Sequence, residues 1–196
     1  MDEALELIEA MKLLVHLGLC NPRGGNASFR LDEDRIVITP SGLAKHRLSV
    51  DDLVVYSISK NRSYGKYKPS IELQAHVRSY LMNNNIKAII HAHPPLSLAL
   101  TDQGVKEWWN TGLVEVEYSV GKVVVVEPAP PGSIELADNI AKAFAENAKI
   151  VVIPKHGVFS QGINVHDALD SIIALEETAK YVLAAYIIRG LGKQLY

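Results

Sequence analysis

Cysteine is nearly absent, with Cys20 the only one in 196 residues. A single thiol excludes an internal disulfide and a cysteine-rich zinc site. Its place after an apolar helical stretch marks it as a buried thiol rather than a nucleophile. Excess charge is lacking too: 20 basic against 22 acidic residues leave a net charge of −2. Bulk electrostatics therefore gives no case for nucleic acid or an anionic membrane surface as partner. Long apolar runs are missing, since the longest near the C-terminus, Tyr181 to Ile188, is far too short to span a bilayer. The opening Met-Asp-Glu-Ala-Leu-Glu lacks the basic-then-apolar pattern of a signal peptide, so a cytoplasmic protein is expected. No P-loop, G-x-G-x-x-G or G-x-S-x-G occurs, which argues against nucleotide and serine-hydrolase chemistry.

What is present suits one α/β domain. Hydrophobic residues make up 48% and charged ones 21%, an ordinary balance for a globular core. Helical spacing of apolar residues predicts helices over 2–19, from Pro69 to about Asn83, after Pro95, over 133–147 behind a Ser133 cap, and over 165–189. The face of the second is expected from Leu73, Val77, Tyr80 and Leu81. Short strands are expected at 28–31, 35–39, 53–58, 88–92, 113–116, 123–127, 150–153 and 157–162, with an exposed loop at 60–68. The four valines from Val123 suit burial on both faces. The last helix is apolar nearly all round, as a helix buried in a protein or between subunits would be.

The densest chemistry lies in Lys87-Ala-Ile-Ile-His-Ala-His-Pro-Pro95. Side chains on a strand alternate faces, so His91 and His93 project from one side while Ala92 turns away. A second apolar run, Lys149 to Ile153, delivers His156 shortly after it ends. Three neutral imidazoles with one open position make the ligand set of a catalytic zinc site. Spacing alone does not join the three.

Three patches could complete a site. Gly24-Gly25-Asn26 offers backbone N–H groups and an amide with no bulk in the way. Pro40-Ser41-Gly42 adds a hydroxyl and a permissive backbone. Pro69-Ser70-Ile71-Glu72 opens a helix, where unpaired N–H groups and a hydroxyl suit a phosphate. Turns need glycines and helices need serine caps in any case. Glu72 is favoured by the helix dipole where it stands, and becomes a candidate general base if the helix start faces a metal. Tyr118 has no partner readable from spacing and would pass for a packing aromatic.

The order Gly-Gly-Asn-Ala-Ser, Ile-Thr-Pro-Ser-Gly, Pro-Ser-Ile-Glu, His-Ala-His-Pro, Lys-His-Gly resembles the class II aldolase/adducin family, most of all its fuculose-phosphate-cleaving members. The resemblance spans essentially the whole chain. It implies a three-layer α/β/α domain with a central, mainly antiparallel sheet. It implies one Zn2+ per subunit on His91, His93 and His156, with Glu72 as the acid/base carboxylate. Gly25, Asn26, Ser41, Gly42, Ser70 and the backbone of Ile71 would hold the phosphate of a sugar phosphate. Tyr118 would reach a neighbouring subunit's site in a homotetramer. The implied reaction is reversible cleavage of a ketose 1-phosphate into dihydroxyacetone phosphate and an aldehyde. Sister activities on the same scaffold are epimerisation of pentulose 5-phosphates, dehydration of methylthioribulose 1-phosphate, and non-catalytic adducin-type interaction. Ile71 departs from the pattern by standing where a second serine is common, and Lys155 where relatives can carry histidine. No role is carried over to the C-terminal tail, Tyr196 included.

Overall fold

The computed structural model describes residues 2–114 and 116–192, without the side chains of 191 and 192; Tyr196 lies outside the described residues. Eight strands form one sheet: β1 (Asn26–Arg30), β2 (Arg35–Ile38), β3 (Val54–Ser57), β4 (Arg62–Tyr64), β5 (Ala88–Ala92), β6 (Val123–Val125), β7 (Ile150–Ile153) and β8 (Gly157–Gly162). Their order is β4-β3-β2-β1-β5-β8-β7-β6, antiparallel throughout except for the β6–β7 pair. The helices are α1 (Asp2–His16), α2 (Leu73–Met82), α3 (Pro95–Asp102), α4 (Ile134–Ala145) and α5 (Val165–Gly192).

Strand alternation sorts the side chains into two cores. Ala88, Ile90 and Ala92 of β5 join the cluster built with α1 and α5. Ile89 of the same strand joins Ala75, Val77, Tyr80 and Phe144 from α2 and α4 on the opposite face. This is the three-layer α/β/α arrangement. Fully burying each such aliphatic chain is worth ~1.5–3 kcal/mol, so both faces contribute heavily to stability. The same alternation puts Asn26 and Ser28 of β1 on the α2 side, opposite Ala27 and Phe29, and aims His91 the same way.

Several expectations from sequence need correction. The stretch expected as a strand at 113–116 instead leads into a π-type turn, Val116–Val120, closed by the Gly121 N–H on the Val116 carbonyl at 3.1 Å. Its apolar residues pack on α5, so no strand partner is needed. The loop expected at 60–68 contains β4, an exposed edge strand whose backbone pairs with β3 after a left-handed Asn61. Strand β6 is shorter than its valine run and lies at the sheet edge, with Val125 43% exposed. On α2, Leu81 points outward at 61% exposure, while the packed face keeps Leu73, Val77 and Tyr80 and adds Ala75, His76 and Ser79. Helix α1 stops at His16, two residues before the left-handed Gly18.

Candidate active site

Pairing of β5 with β8 brings the histidines together. His91 sits opposite Phe159 of β8 and stacks on its ring, with centroids 4.2 Å apart. The carbonyl of Val158 can only accept, so the 2.9 Å contact to His91 Nδ1 fixes the proton there and leaves Nε2 bare. His93 follows the strand, its Nε2 3.1 Å from His91 Nε2. His156 lies in the β7–β8 hairpin turn. There Lys155 adopts a left-handed backbone with φ 59°, and its N–H donates to Asp102 Oδ1 at 2.9 Å. Gly157 lets the turn approach: a Cβ there would lie 2.6 Å from the Ala92 carbonyl oxygen and 2.6 Å from His91 Cε1.

Glu72 stands just before α2 rather than within its first turn, and is 3% exposed. Its Oε2 is 3.2 Å from His91 Nε2, its Oε1 3.2 Å from His156 Nε2, and Asn26 Nδ2 donates to Oε2 at 3.1 Å. Burial would raise the carboxyl's pKa, but the nearby His156 ring and the Asn26 amide hold it below the usual range. Burial pushes His91 and His93 down, so both imidazoles stay neutral near pH 7. The carboxylate faces them ionised.

These residues fit a divalent metal. The three histidines offer one nitrogen each, all within 4.8 Å of one another. Two nitrogens on a tetrahedral zinc stand ~3.3 Å apart, close to the spacing of His91 and His93. Buried Glu72 Oε1 receives no hydrogen bond among the described residues, as expected for an oxygen facing a cation's place.

The cluster opens into a cavity of about 250 Å³ that also reaches Gly25, Asn26, Ser41, Gly42, Ser70 and Ile71. A backbone bridge between Pro40 and Pro69 puts the two serine turns side by side. The N–H of Ser41 donates to Lys68 and that of Ser70 to Thr39, so these serines offer only hydroxyls. The N–H groups of Gly25, Gly42 and Ile71 have no protein acceptor among the described residues. Gly25 is left-handed at φ 66°, and a Cβ on it would meet Cys20 Sγ and the His91 carbonyl oxygen at 2.6 Å each. Cys20 is buried, which pushes its thiol up to about 11, in keeping with an inert role. Tyr118 does not line the cavity, and at 81% exposure it is no packing aromatic.

Three residues of the site escaped the sequence reading: Arg23, which lines the cavity, Lys45 and His76. Lys45 lines the cavity yet is only 2% exposed, its Nζ donating to the Leu43 carbonyl at 3.0 Å. Burial lowers its pKa, and no carboxylate pairs with it among the described residues. His76 lies beneath Asn26 with Nε2 2.6 Å from Asn26 Oδ1. The recurrence of Glu72, His76 and Tyr80 every fourth residue was the signal for it.

A histidine triad able to hold a metal, a buried carboxylate and an anion-receptive pocket on this sheet suit a lyase-type site of the metal-dependent class. The chain belongs to the class II aldolase family: the profile described as Class II Aldolase and Adducin N-terminal domain matches residues 5–183. It is 36% identical over 159 residues to a 3-oxo-tetronate 4-phosphate decarboxylase of Haemophilus influenzae, covering 80% of this chain and 75% of that one. It is 30% identical over 175 residues to an L-fuculose phosphate aldolase of Methanococcus maripaludis, covering 89% and 93%. Among solved structures, a sugar-phosphate aldolase from Thermotoga maritima superposes with a TM-score of 0.85 at 25% identity, covering 95% of this chain and 96% of that one. An L-fuculose 1-phosphate aldolase superposes with a TM-score of 0.80 at 30% identity, covering 95% and 87%. Among the described residues no helix is long and apolar enough to cross a membrane.

Proposed function

We propose that this protein is a zinc-dependent aldolase reversibly cleaving a ketose 1-phosphate of the L-fuculose 1-phosphate type. The products would be dihydroxyacetone phosphate and an aldehyde such as L-lactaldehyde. The observation that carries this reading is Glu72, a buried carboxylate 3.2 Å from two histidines of the triad and opening on the anion-receptive cavity. Zinc held by His91, His93 and His156 would polarise the substrate carbonyl and stabilise the charge that develops as the C–C bond opens.

The chain's own groups then have separate tasks. The free N–H groups of Gly25, Gly42 and Ile71, with the hydroxyls of Ser41 and Ser70, receive the phosphate. Lys45 supplies the positive charge beneath them. Ile71 thus serves through its backbone, which accounts for a chain lacking the second serine. In the synthesis direction Glu72 takes a proton from the hydroxymethylene carbon next to the carbonyl. That carbon's electron pair forms the new C–C bond to the aldehyde. Tyr118 of a neighbouring subunit protonates the resulting alkoxide, because in its own chain it lies away from the cavity.

The 36% identity to a decarboxylase favours one second reading. Loss of CO2 from a 3-oxo acid leaves the same electron pair next to a carbonyl as loss of an aldehyde from a ketose. Arg23, a second cation lining the cavity, could receive that acid's carboxylate. The deciding experiment assays metal-stripped and zinc-restored protein on L-fuculose 1-phosphate and on a 3-oxo-4-phosphate acid. Zinc-dependent release of aldehyde is expected. Zinc-dependent release of CO2 alone would replace the aldolase reading with decarboxylation, and inertness toward both would sink each.

A further inference from the structure

Behind Glu72 runs a file of buried polar groups. Asn26 and Ser28, two apart on β1, face α2, on which His76 and Tyr80 stand one turn apart. The 2-residue and 4-residue periods bring the pairs into register. Tyr80 Oη lies 2.8 Å from Ser28 Oγ, Ser28 Oγ 2.7 Å from His76 Nδ1, and His76 Nε2 2.6 Å from Asn26 Oδ1. All four residues are buried, with His76, Ser28 and Tyr80 fully so.

The direction of every bond follows from the Glu72 end. Asn26 presents Nδ2 to the Glu72 carboxyl and so turns Oδ1 toward His76. Oδ1 needs a donor, so His76 carries its proton on Nε2. Its bare Nδ1 takes the Ser28 proton, and Ser28 takes that of Tyr80. Burial keeps the imidazole neutral, with a pKa of about 4, so the order survives at neutral pH.

We propose that His76 is a positioning residue: its Nε2–H, ordered by Ser28 and Tyr80, locks the Asn26 amide so that Asn26 holds the Glu72 carboxylate toward the histidine triad. Without that donor the amide can flip, and its oxygen would then repel the carboxylate it now secures. The catalytic consequence rests on the role proposed for Glu72, whereas the relay itself does not.

A matched pair of substitutions tests the catalytic consequence. His76→Gln can keep an N–H donor where Nε2 stood, whereas His76→Asn keeps only a group where Nδ1 stood. We expect His76→Asn to lower kcat about 10–100-fold with KM unchanged, as loss of a supporting hydrogen bond behind a site does. His76→Gln should stay within a few-fold of the parent. Equal losses in the two variants, or a loss confined to KM, would overturn the positioning role. The relay is tested separately on the unsubstituted, metal-free protein by 15N NMR with labelled histidine, which needs neither activity nor a variant that folds. A proton on Nε2 of His76 supports it; a proton on Nδ1 overturns it even in an active enzyme. An inactive enzyme with the expected tautomer would instead count against the proposed reaction and leave the relay standing.

Discussion

At the scale of single residues, the site depends on which groups keep their charge when buried. Glu72 stays ionised because imidazole and amide partners outweigh its burial. Glu72→Gln keeps the shape and removes the base, so turnover should fall by roughly 10²–10⁴-fold with bound zinc little changed. Full turnover in that variant would remove Glu72 from the reaction. Lys45 tests the phosphate end: Lys45→Met keeps the stem and deletes the charge, so KM for the phosphorylated substrate should rise at least ~10-fold while kcat holds. An unchanged KM would show that the backbone N–H groups suffice. His76 ties the site to stability. Its folded pKa of about 4 lies below the unfolded value near 6.5, so between these values the unfolded chain binds the extra proton. Stability due to His76 is whole above pH 6.5 and is lost as pH falls toward 4, by about 3 kcal/mol. Buried His91 acts in the same sense, so the measurement is a difference. Urea unfolding of metal-free protein at pH 7 and pH 4.5 should show a smaller drop for His76→Gln than for the parent, and equal drops would refute the assignment. The three histidines and Glu72 stood out in the sequence through the order of their motifs, although spacing alone did not join them. Lys45 was not, because nothing around it distinguishes a buried lysine from a solvated one until the Pro40–Pro69 bridge closes the pocket over it.

At the scale of elements, the site is where β5, β8 and the start of α2 converge, and close approach there depends on Gly157. Gly157→Ala would drive a methyl against the Ala92 carbonyl oxygen and the His91 ring. Backbone must move, at a cost of about 1–3 kcal/mol, and the displaced imidazoles should bind zinc more weakly in chelator competition. Gly190→Ala is the control, since its methyl would meet open space on α5. Zinc affinity unchanged in Gly157→Ala would show that the hairpin is not what aligns the triad. The elements most legible in the sequence were those with a strong period, such as α1, α4, β5 and α5. The failures share a cause. Apolar residues at 113–116 and the valine run from 123 carry no record of whether a strand or a helix lies beside them. Neighbours decided: Val116 of the first stretch packs into the α1/α5 core while Val114 stays exposed, and the sheet edge left part of the second uncovered. Conversely, polar β4 forms because backbone pairing with β3 needs no apolar side chains.

At the scale of the whole molecule, one subunit does not complete the proposed site. The cavity holds every matched residue except Tyr118, which projects from the π-type turn at 81% exposure. Near the end of α5, Tyr186, Ile187 and Ile188 are 55%, 54% and 67% exposed, an apolar surface that association would cover. A closed homo-oligomer, taken here as a tetramer, would meet both needs by placing each Tyr118 at a neighbour's cavity. The arrangement has a consequence that a self-contained subunit lacks. Glu72→Gln retains Tyr118, and Tyr118→Phe retains Glu72, so each variant alone should be nearly inactive for different reasons. Co-expressed with distinguishable tags and purified through both, they form mixed oligomers in which some cavities combine an intact Glu72 with an intact Tyr118 from next door. Random assortment of equal amounts gives roughly a quarter of the sites both groups, and activity should recover toward that fraction. Tyr118→Phe alone should still exchange the hydroxymethylene proton of dihydroxyacetone phosphate with solvent, since that step needs Glu72 but no acid at the aldehyde oxygen. If verified mixed oligomers recover nothing, Tyr118 does not act across the interface. If light scattering finds an active monomer, the shared site fails altogether.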